Sequence, residues 1–370
     1  MRGRIRGKWL LLTWPVAGLV LLLAKQSEAF AERVFARGVY RVFHTPVALL
    51  TGLLPFSLAE WILYGLIPAV LAMLLVWTVQ LVRRKGSRGR CVLQGAVRAA
   101  GLLGLVFFLF VFGCGGNYYR STYASLSGME VVPGTDEELS GLCTDLAEQA
   151  NALRSQLSGC EDARGVFTLP CTQRELGERA RAAMISMGER DPLFSCCYNR
   201  PKPVLWSRGM SRLGITGVFF PFTQEANVNV DAADYSIGAA MCHELSHMAG
   251  FMREDEANYL AWLACTRQDD PVLAYSGVML ALAYAGNALA RNDPQLYRAF
   301  CAELSEAVRR DQAADREYWA QFEDTKTSEF GEKMNDTYLK ANAQKTGTKS
   351  YGAMVDLLLA EYRSKKTEKQ

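Results

Sequence analysis

The chain has 370 residues, half of them hydrophobic, and a formal net charge of only +3. It is long enough for a membrane part plus a soluble domain with its own core. The basic residues cluster at Arg2, Arg4, Arg6 and Lys8 and again between Arg83 and Arg90, beside apolar runs; no Gly-rich phosphate loop precedes a helix and no basic stripe interleaves with aromatics. That pattern speaks for membrane topology signals and against nucleotide or nucleic-acid binding.

Three apolar runs come first, Trp9 to Ala24, Leu58 to Val82 (with Glu60 near its start) and about Ala96 to Phe112. A spanning helix needs ~20 apolar residues, so the second and third read as membrane helices. The first is shorter, follows a basic start and precedes Ala29-Phe30-Ala31, so it reads as a retained anchor or as a cleaved signal. Positive charge marks the cytoplasmic side, which puts the N-terminus and the Arg83 to Arg90 loop inside and everything after Asn117 outside. The stretch Phe30 to Phe43 is amphipathic and suits a membrane surface. The expected division is a membrane region over 1–116 and an extracytoplasmic domain over 117–370.

Eight of the ten cysteines lie after Asn117. In an exported domain they can pair or stay as buried thiols, and no CxxC pair suggests a cysteine zinc knuckle. Glu137 to Leu157 has helical apolar spacing, and Thr172 with Glu175 forms a capping-box signature. Gly214 to Thr223 is β-rich, with Pro221 arguing for an edge strand, and Glu225 to Val230 alternates as if to extend it. From Ala233 the chain turns helical, breaks at Gly250, resumes over Glu254 to Arg267, and continues mostly as helix from Pro271 to Arg363 with a break at Asn292-Asp293-Pro294. The expected fold is mainly α: membrane helices, then an α+β domain with a small sheet and a helical C-terminal part.

The segment His243-Glu244-Leu245-Ser246-His247 carries the chemistry. Histidines four apart lie on one helix face and can bind one Zn²⁺, while the intervening Glu244 stands beside the metal as a general base. Only three histidines occur in the chain, and His44 falls in the membrane part, so a third ligand must be a carboxylate. Glu254 and Glu256 are the alternatives, delivered by a second helix after the Gly250 turn, with Asn258 orienting a ligand histidine from behind.

The His-Glu-Leu-Ser-His segment resembles the zincin signature, and Glu254-Asp255-Glu256-Ala257-Asn258 resembles the gluzincin Glu-x-x-x-Asp element, with Asn258 in the Asp position. The gap after His247 is shorter than in gluzincins. The chain as a whole resembles a bacterial membrane-protein family with a zincin-like domain (DUF3810-like). The likeness rests on Asn117-Tyr118-Tyr119-Arg120, on Phe220 to Asn227, on the histidine segment, and on Tyr338 to Lys340 with Ser350 to Gly352. The resemblance implies a retained N-terminal anchor, a multi-pass protein of the bacterial cell membrane, and a zinc metallopeptidase acting on a peptide or protein substrate. It also implies that the strand from Phe219 to Asn229, including Phe222 and Asn227, binds extended peptide. The alternative is a non-catalytic sensor or scaffold that keeps the zincin fold.

Overall fold

The computed structural model describes residues 7–83, 88–323, 325, 327, 329, 331, 333 and 352–368. Tyr338 to Lys340, Ser350 and Tyr351 lie outside the described residues. The chain forms two compact units: Met1–Arg120 with Phe220–Gln224, and Ser121–Phe219 with Glu225–Gln370. The division falls after Arg120, where the sequence placed it after Gly116.

In the first unit a short 3-10 turn, Lys8–Leu12, leads into α1, Thr13–Gln26. A π-helical stretch, Phe30–Val39, runs on into α2, Tyr40–Gly52, then α3, Leu58–Arg83, and α4, Arg88–Gly113. Among the described residues four helices are long and apolar enough to cross a membrane: Lys8–Gln26, Leu58–Arg83, Gly89–Gly113 and Pro271–Asn292. At ~1.5 Å per residue the second and third are each long enough for a ~30 Å hydrocarbon core. Helix α4 meets the 3-10 turn and α1 where it has no side chain: a Cβ at Gly101 would strike Leu10 of the turn, and one at Gly104 would strike Thr13 and Trp14 of α1. Trp14 then donates its indole N–H to the Ala100 carbonyl at 2.9 Å and stacks on Phe107. Small residues do this in membrane helices because backbones there associate by close packing and not by escape from water. The amphipathic stretch buries Glu32, which Arg120 and Arg37 each meet at 2.8 Å.

The second unit is built on helices. After α5, Tyr123–Ser127, come α6, Asp136–Gln156, and α7, Gln173–Arg190; both long helices open with complete capping boxes, Thr135 with Glu138 and Thr172 with Glu175. Helix α8 is Ser207–Arg212, α9 Asp234–Met248, α10 Glu254–Thr266 and α11 Pro271–Asn292. Helices α12, Pro294–Glu303, α13, Glu306–Ala320, and α14, Gly352–Glu368, complete it. Helix α11 is as apolar as a membrane span, but Leu273, Tyr275, Val278, Ala281, Leu282, Ala285 and Leu289 are buried, so it serves as the core helix of this unit. Helix α10 is buried on nearly every side from Glu256 to Cys265, as a central helix must be.

A buried ion network ties α6, α11 and α13 together. The Asp311 carboxylate accepts from Arg154 at 2.6 Å, from Tyr275 at 2.7 Å and from the Phe167 N–H at 2.8 Å. Arg154 also donates to Glu161 and to the Gly165 carbonyl. At the surface, Arg363 of α14 grips Glu138 of α6 through two bonds of 2.8 and 2.7 Å and holds that carboxyl down at about 2. A carboxyl lowered from its ordinary 4.5 adds stability that is complete above pH 4.5 and disappears as pH falls toward 2. Between those limits acid should loosen wild-type α14, measured by protease cleavage after α13, and Glu138→Gln should flatten that dependence.

The sheet has the order β1-β3-β2, with β1 Lys202–Pro203, β2 Gly217–Phe220 and β3 Glu225–Val228. β1 runs parallel to β3, Lys202 opposite Asn227. The Glu225 to Val230 run therefore does not extend β2: Glu225–Val228 forms a separate, central strand, and Asn229 and Val230 lie beyond it. Pro221 and the left-handed backbone of Gln224, φ 52°, interrupt the run, and the four β3 residues are buried. All ten cysteines are free thiols.

Candidate metal centre

Helix α9 ends in a Schellman turn. Gly250 takes φ 90°, its N–H bonds the His247 carbonyl at 2.9 Å, and the Phe251 N–H bonds the Ser246 carbonyl at 3.2 Å. This turn lays the Phe251 carbonyl on His247 Nδ1, 2.7 Å away. The Phe251 ring is fully buried against Phe194 and Tyr123, which fixes the carbonyl in place. Two residues after Met252 the chain re-enters a helix, and Glu254 stands at its first position.

The imidazoles of His243 and His247 and the Glu254 carboxylate converge. Nε2 to Nε2 is 3.1 Å, His243 Nε2 to Glu254 Oε2 is 3.2 Å, and His247 Nε2 to Glu254 Oε1 is 3.7 Å. These three residues form the one group among the described residues with ligand atoms placed to hold a metal ion. Donors bound tetrahedrally at ~2.0–2.1 Å stand about 3.3 Å apart, so the triangle fits Zn²⁺. The outer nitrogens settle the tautomers. His243 Nδ1 is 2.8 Å from Asn258 Oδ1, and His247 Nδ1 faces the Phe251 carbonyl. Both partners are acceptors, so each Nδ1 carries a proton, and in the neutral rings each Nε2 turns a lone pair toward the other. Two lone pairs and a carboxylate in one triangle repel unless a cation lies among them.

Without a metal ion a proton takes that cation's place on His243. Burial lowers the proton affinity of His243, but the hydrogen bond and charge of Glu254 outweigh it and raise its pKa to about 9. Burial drives His247 down to about 4, its attraction to Glu254 offsetting only part. Glu254 itself is pulled down: burial opposes, and the hydrogen bond from His243 with the charges of both histidines prevails. The site thus concentrates one positive charge between Glu254 and His243.

Glu244 lies beside this triangle, 3 % exposed, with Oε2 making no hydrogen bond. Burial pushes its carboxyl up to about 8, with His243 pulling the other way, and the Phe219 backbone hydrogen-bonds it. Strand β2 makes room for it: a Cβ at Gly217 would overlap Cγ, Cδ and Oε1 of Glu244.

The two candidate third ligands separate cleanly. Glu254 faces both histidines, whereas Glu256 Oε1 accepts from the Tyr123 N–H at 2.9 Å and from Arg253 at 3.1 Å. Asn227 is buried, its Nδ2 donating to the Val218 and Glu225 carbonyls, so it knits the sheet. Phe222 packs on Phe220 within the first unit. Gly217, Phe219 and the Phe251 carbonyl escape a reading of motifs as parts of the metal site. Their parts are a missing side chain and two backbone groups, and the β-rich Gly214 to Thr223 run and the Gly250 break are the sequence signals near them.

Fold and site together define a mainly helical protein with apolar, membrane-length helices and a candidate two-histidine, one-carboxylate metal centre. The chain belongs to the DUF3810 family, described as a protein of unknown function, whose model matches residues 35–359. No curated protein and no solved structure matches it.

Proposed function

We propose that the protein is a membrane-tethered zinc metallopeptidase. One observation carries the reading: three inward-facing donors at zinc spacing, both histidines locked into the ligating tautomer, with a buried carboxylate beside them that has an oxygen to spare. His243, His247 and Glu254 would hold the ion, leaving a position for substrate. Zn²⁺ bound there supplies a Lewis acid that polarises a peptide carbonyl and lowers the pKa of water toward ~7. The positive charge of the ion would keep Glu244 ionised, and Glu244 would take the proton from the attacking water at its unbonded Oε2 and deliver it to the departing amine nitrogen. Strand β2 has β3 as its neighbour and forms an edge of the sheet, so its backbone can pair with an extended peptide without reading its sequence. The resemblance to zincins, in the His243 to His247 segment and in Glu254 with Asn258, supports the same reading. Three apolar helices with basic residues at the N-terminus and between α3 and α4 favour an outward-facing second unit in a bacterial cell membrane.

The full chain purified in detergent without chelator should carry about one zinc. Glu244→Gln should keep that zinc and lose at least ~10²-fold in cleavage of a mixed peptide library. A chain that is folded but takes up no zinc sinks the reading. Zinc without cleavage by wild type favours a tethered, non-catalytic zinc module. Gly217→Ala should displace the Glu244 carboxylate and cut turnover by about 10²-fold with zinc content unchanged, because misplacement by ~1 Å is enough. Full turnover in that variant would show that β2 does not hold the base.

A further inference from the structure

We infer that Gln224 is a positioning residue for the proposed cleavage: it ties the turn between β2 and β3 to helices α2 and α4 of the first unit, and so sets where β2 holds Glu244. The inference rests on the peptidase reading above. Strands β2 and β3 are neighbours joined only by Pro221 to Gln224, a connection too short for anything but a hairpin. The turn belongs to the first unit together with Phe220, while Gly217 to Phe219 and β3 belong to the second.

Gln224 is fully buried, and among the described residues it is the one non-glycine with a positive φ, 52°. A side chain in that conformation is strained, so the conformation persists only where surrounding contacts hold it. The carboxamide makes those contacts. Its Nε2 donates to the Gly113 carbonyl at the end of α4, 3.0 Å away, and to the Pro221 carbonyl. Its Oε1 lies 2.6 Å from His44 Nδ1 and accepts from the Tyr40 hydroxyl at 3.3 Å, both on α2. The two carbonyls can only accept, which fixes the orientation of the amide and makes His44 Nδ1 a donor. The turn backbone also lies directly on α4: a Cβ at Gly113 would come within 2.5 Å of the Pro221 oxygen.

The strand that runs into this turn shapes the place of the base. Gly217 leaves the room that Cγ, Cδ and Oε1 of Glu244 occupy, and the Phe219 backbone hydrogen-bonds the same carboxylate. A turn released from α2 and α4 lets β2 shift against Glu244, whereas His243, His247 and Glu254 stand on α9 and α10. The first unit thus acts on turnover and not on metal uptake.

Two variants of the full chain in nanodiscs test this. Gln224→Gly adopts the left-handed conformation without strain but has no amide, and Gln224→Met fills similar space without one. In both, amide hydrogen exchange over residues 217–220 should quicken by about 10-fold or more, with exchange over α9 and α10 unchanged. Zinc content should stay at the wild-type level, and kcat on the peptide library should fall by about 10-fold or more. Exchange over β2 at the wild-type rate in either variant overturns the inference. Quickened exchange throughout the second unit also overturns it, because that marks general loosening. Quickened β2 exchange with full turnover overturns the positioning role. A wild type that binds zinc and cleaves nothing removes the peptidase reading, and exchange over β2 then decides by itself whether Gln224 ties the hairpin.

Discussion

Glu254→Ala should reduce zinc affinity by well over ~100-fold, beyond the loss expected from an outer partner, while Glu256→Ala should leave affinity within a few-fold. The two carboxylates are two residues apart, but the first turn of α10 points them differently. Glu254 lies 3.2 and 3.7 Å from the two Nε2 atoms. Glu256, 3 % exposed, closes the start of α5 by accepting the Tyr123 N–H and pairs with Arg253. Its loss leaves a buried donor without its acceptor, so Glu256→Ala should cost about 1–3 kcal/mol of stability. Chelator competition and thermal unfolding of the same two variants separate the roles. A variant pair in which Glu256→Ala loses the metal and Glu254→Ala keeps it would overturn the assignment of the third ligand.

The second large effect concerns the fold. Asp311→Ala should destabilise the second unit by about 3–5 kcal/mol, because it leaves a fully buried Arg154 guanidinium with the half-buried Glu161 as its charge partner. Two more bonds go with it, from the Tyr275 hydroxyl and the Phe167 N–H. The pair Arg154→Met with Asp311→Leu should recover much of the loss, since a buried pair costs desolvation on both partners and apolar side chains of similar size do not. Denaturant unfolding of the full chain in detergent, followed by near-ultraviolet circular dichroism, measures both. A loss below ~1 kcal/mol in Asp311→Ala would mean that water reaches Arg154 and the network is not closed.

Much of this protein was legible because its signals are local. Apolar runs at Leu58 to Val82 and Ala96 to Phe112 became α3 and α4, since length and composition alone decide whether a helix can span a bilayer. The Thr172 capping box, the Gly250 stop and the Asp293-Pro294 break depend on hydrogen bonds or sterics within a turn, so they read directly from neighbouring residues. The i, i+4 histidines needed only helical geometry to share a face. One reading went astray. The alternating Glu225 to Val230 run looked like more of β2, but its first four residues are the central strand, because strand pairing is decided by what lies alongside. Helix α11 has the composition of a membrane span, and only its burial against other helices of the second unit makes it a core element.

The sequence by itself determined the apolar helices, the caps and stops of the second unit, and the identity of every metal-ligand candidate. Tertiary structure decided between Glu254 and Glu256, placed the Phe251 carbonyl and Asn258 behind the two histidines, and emptied the space at Gly217 for Glu244. The physical reason is that a ligand atom's direction depends on where two helices cross and on backbone groups that carry no side-chain signature. Composition and spacing fix which donors are available, and packing fixes which of them point at one another.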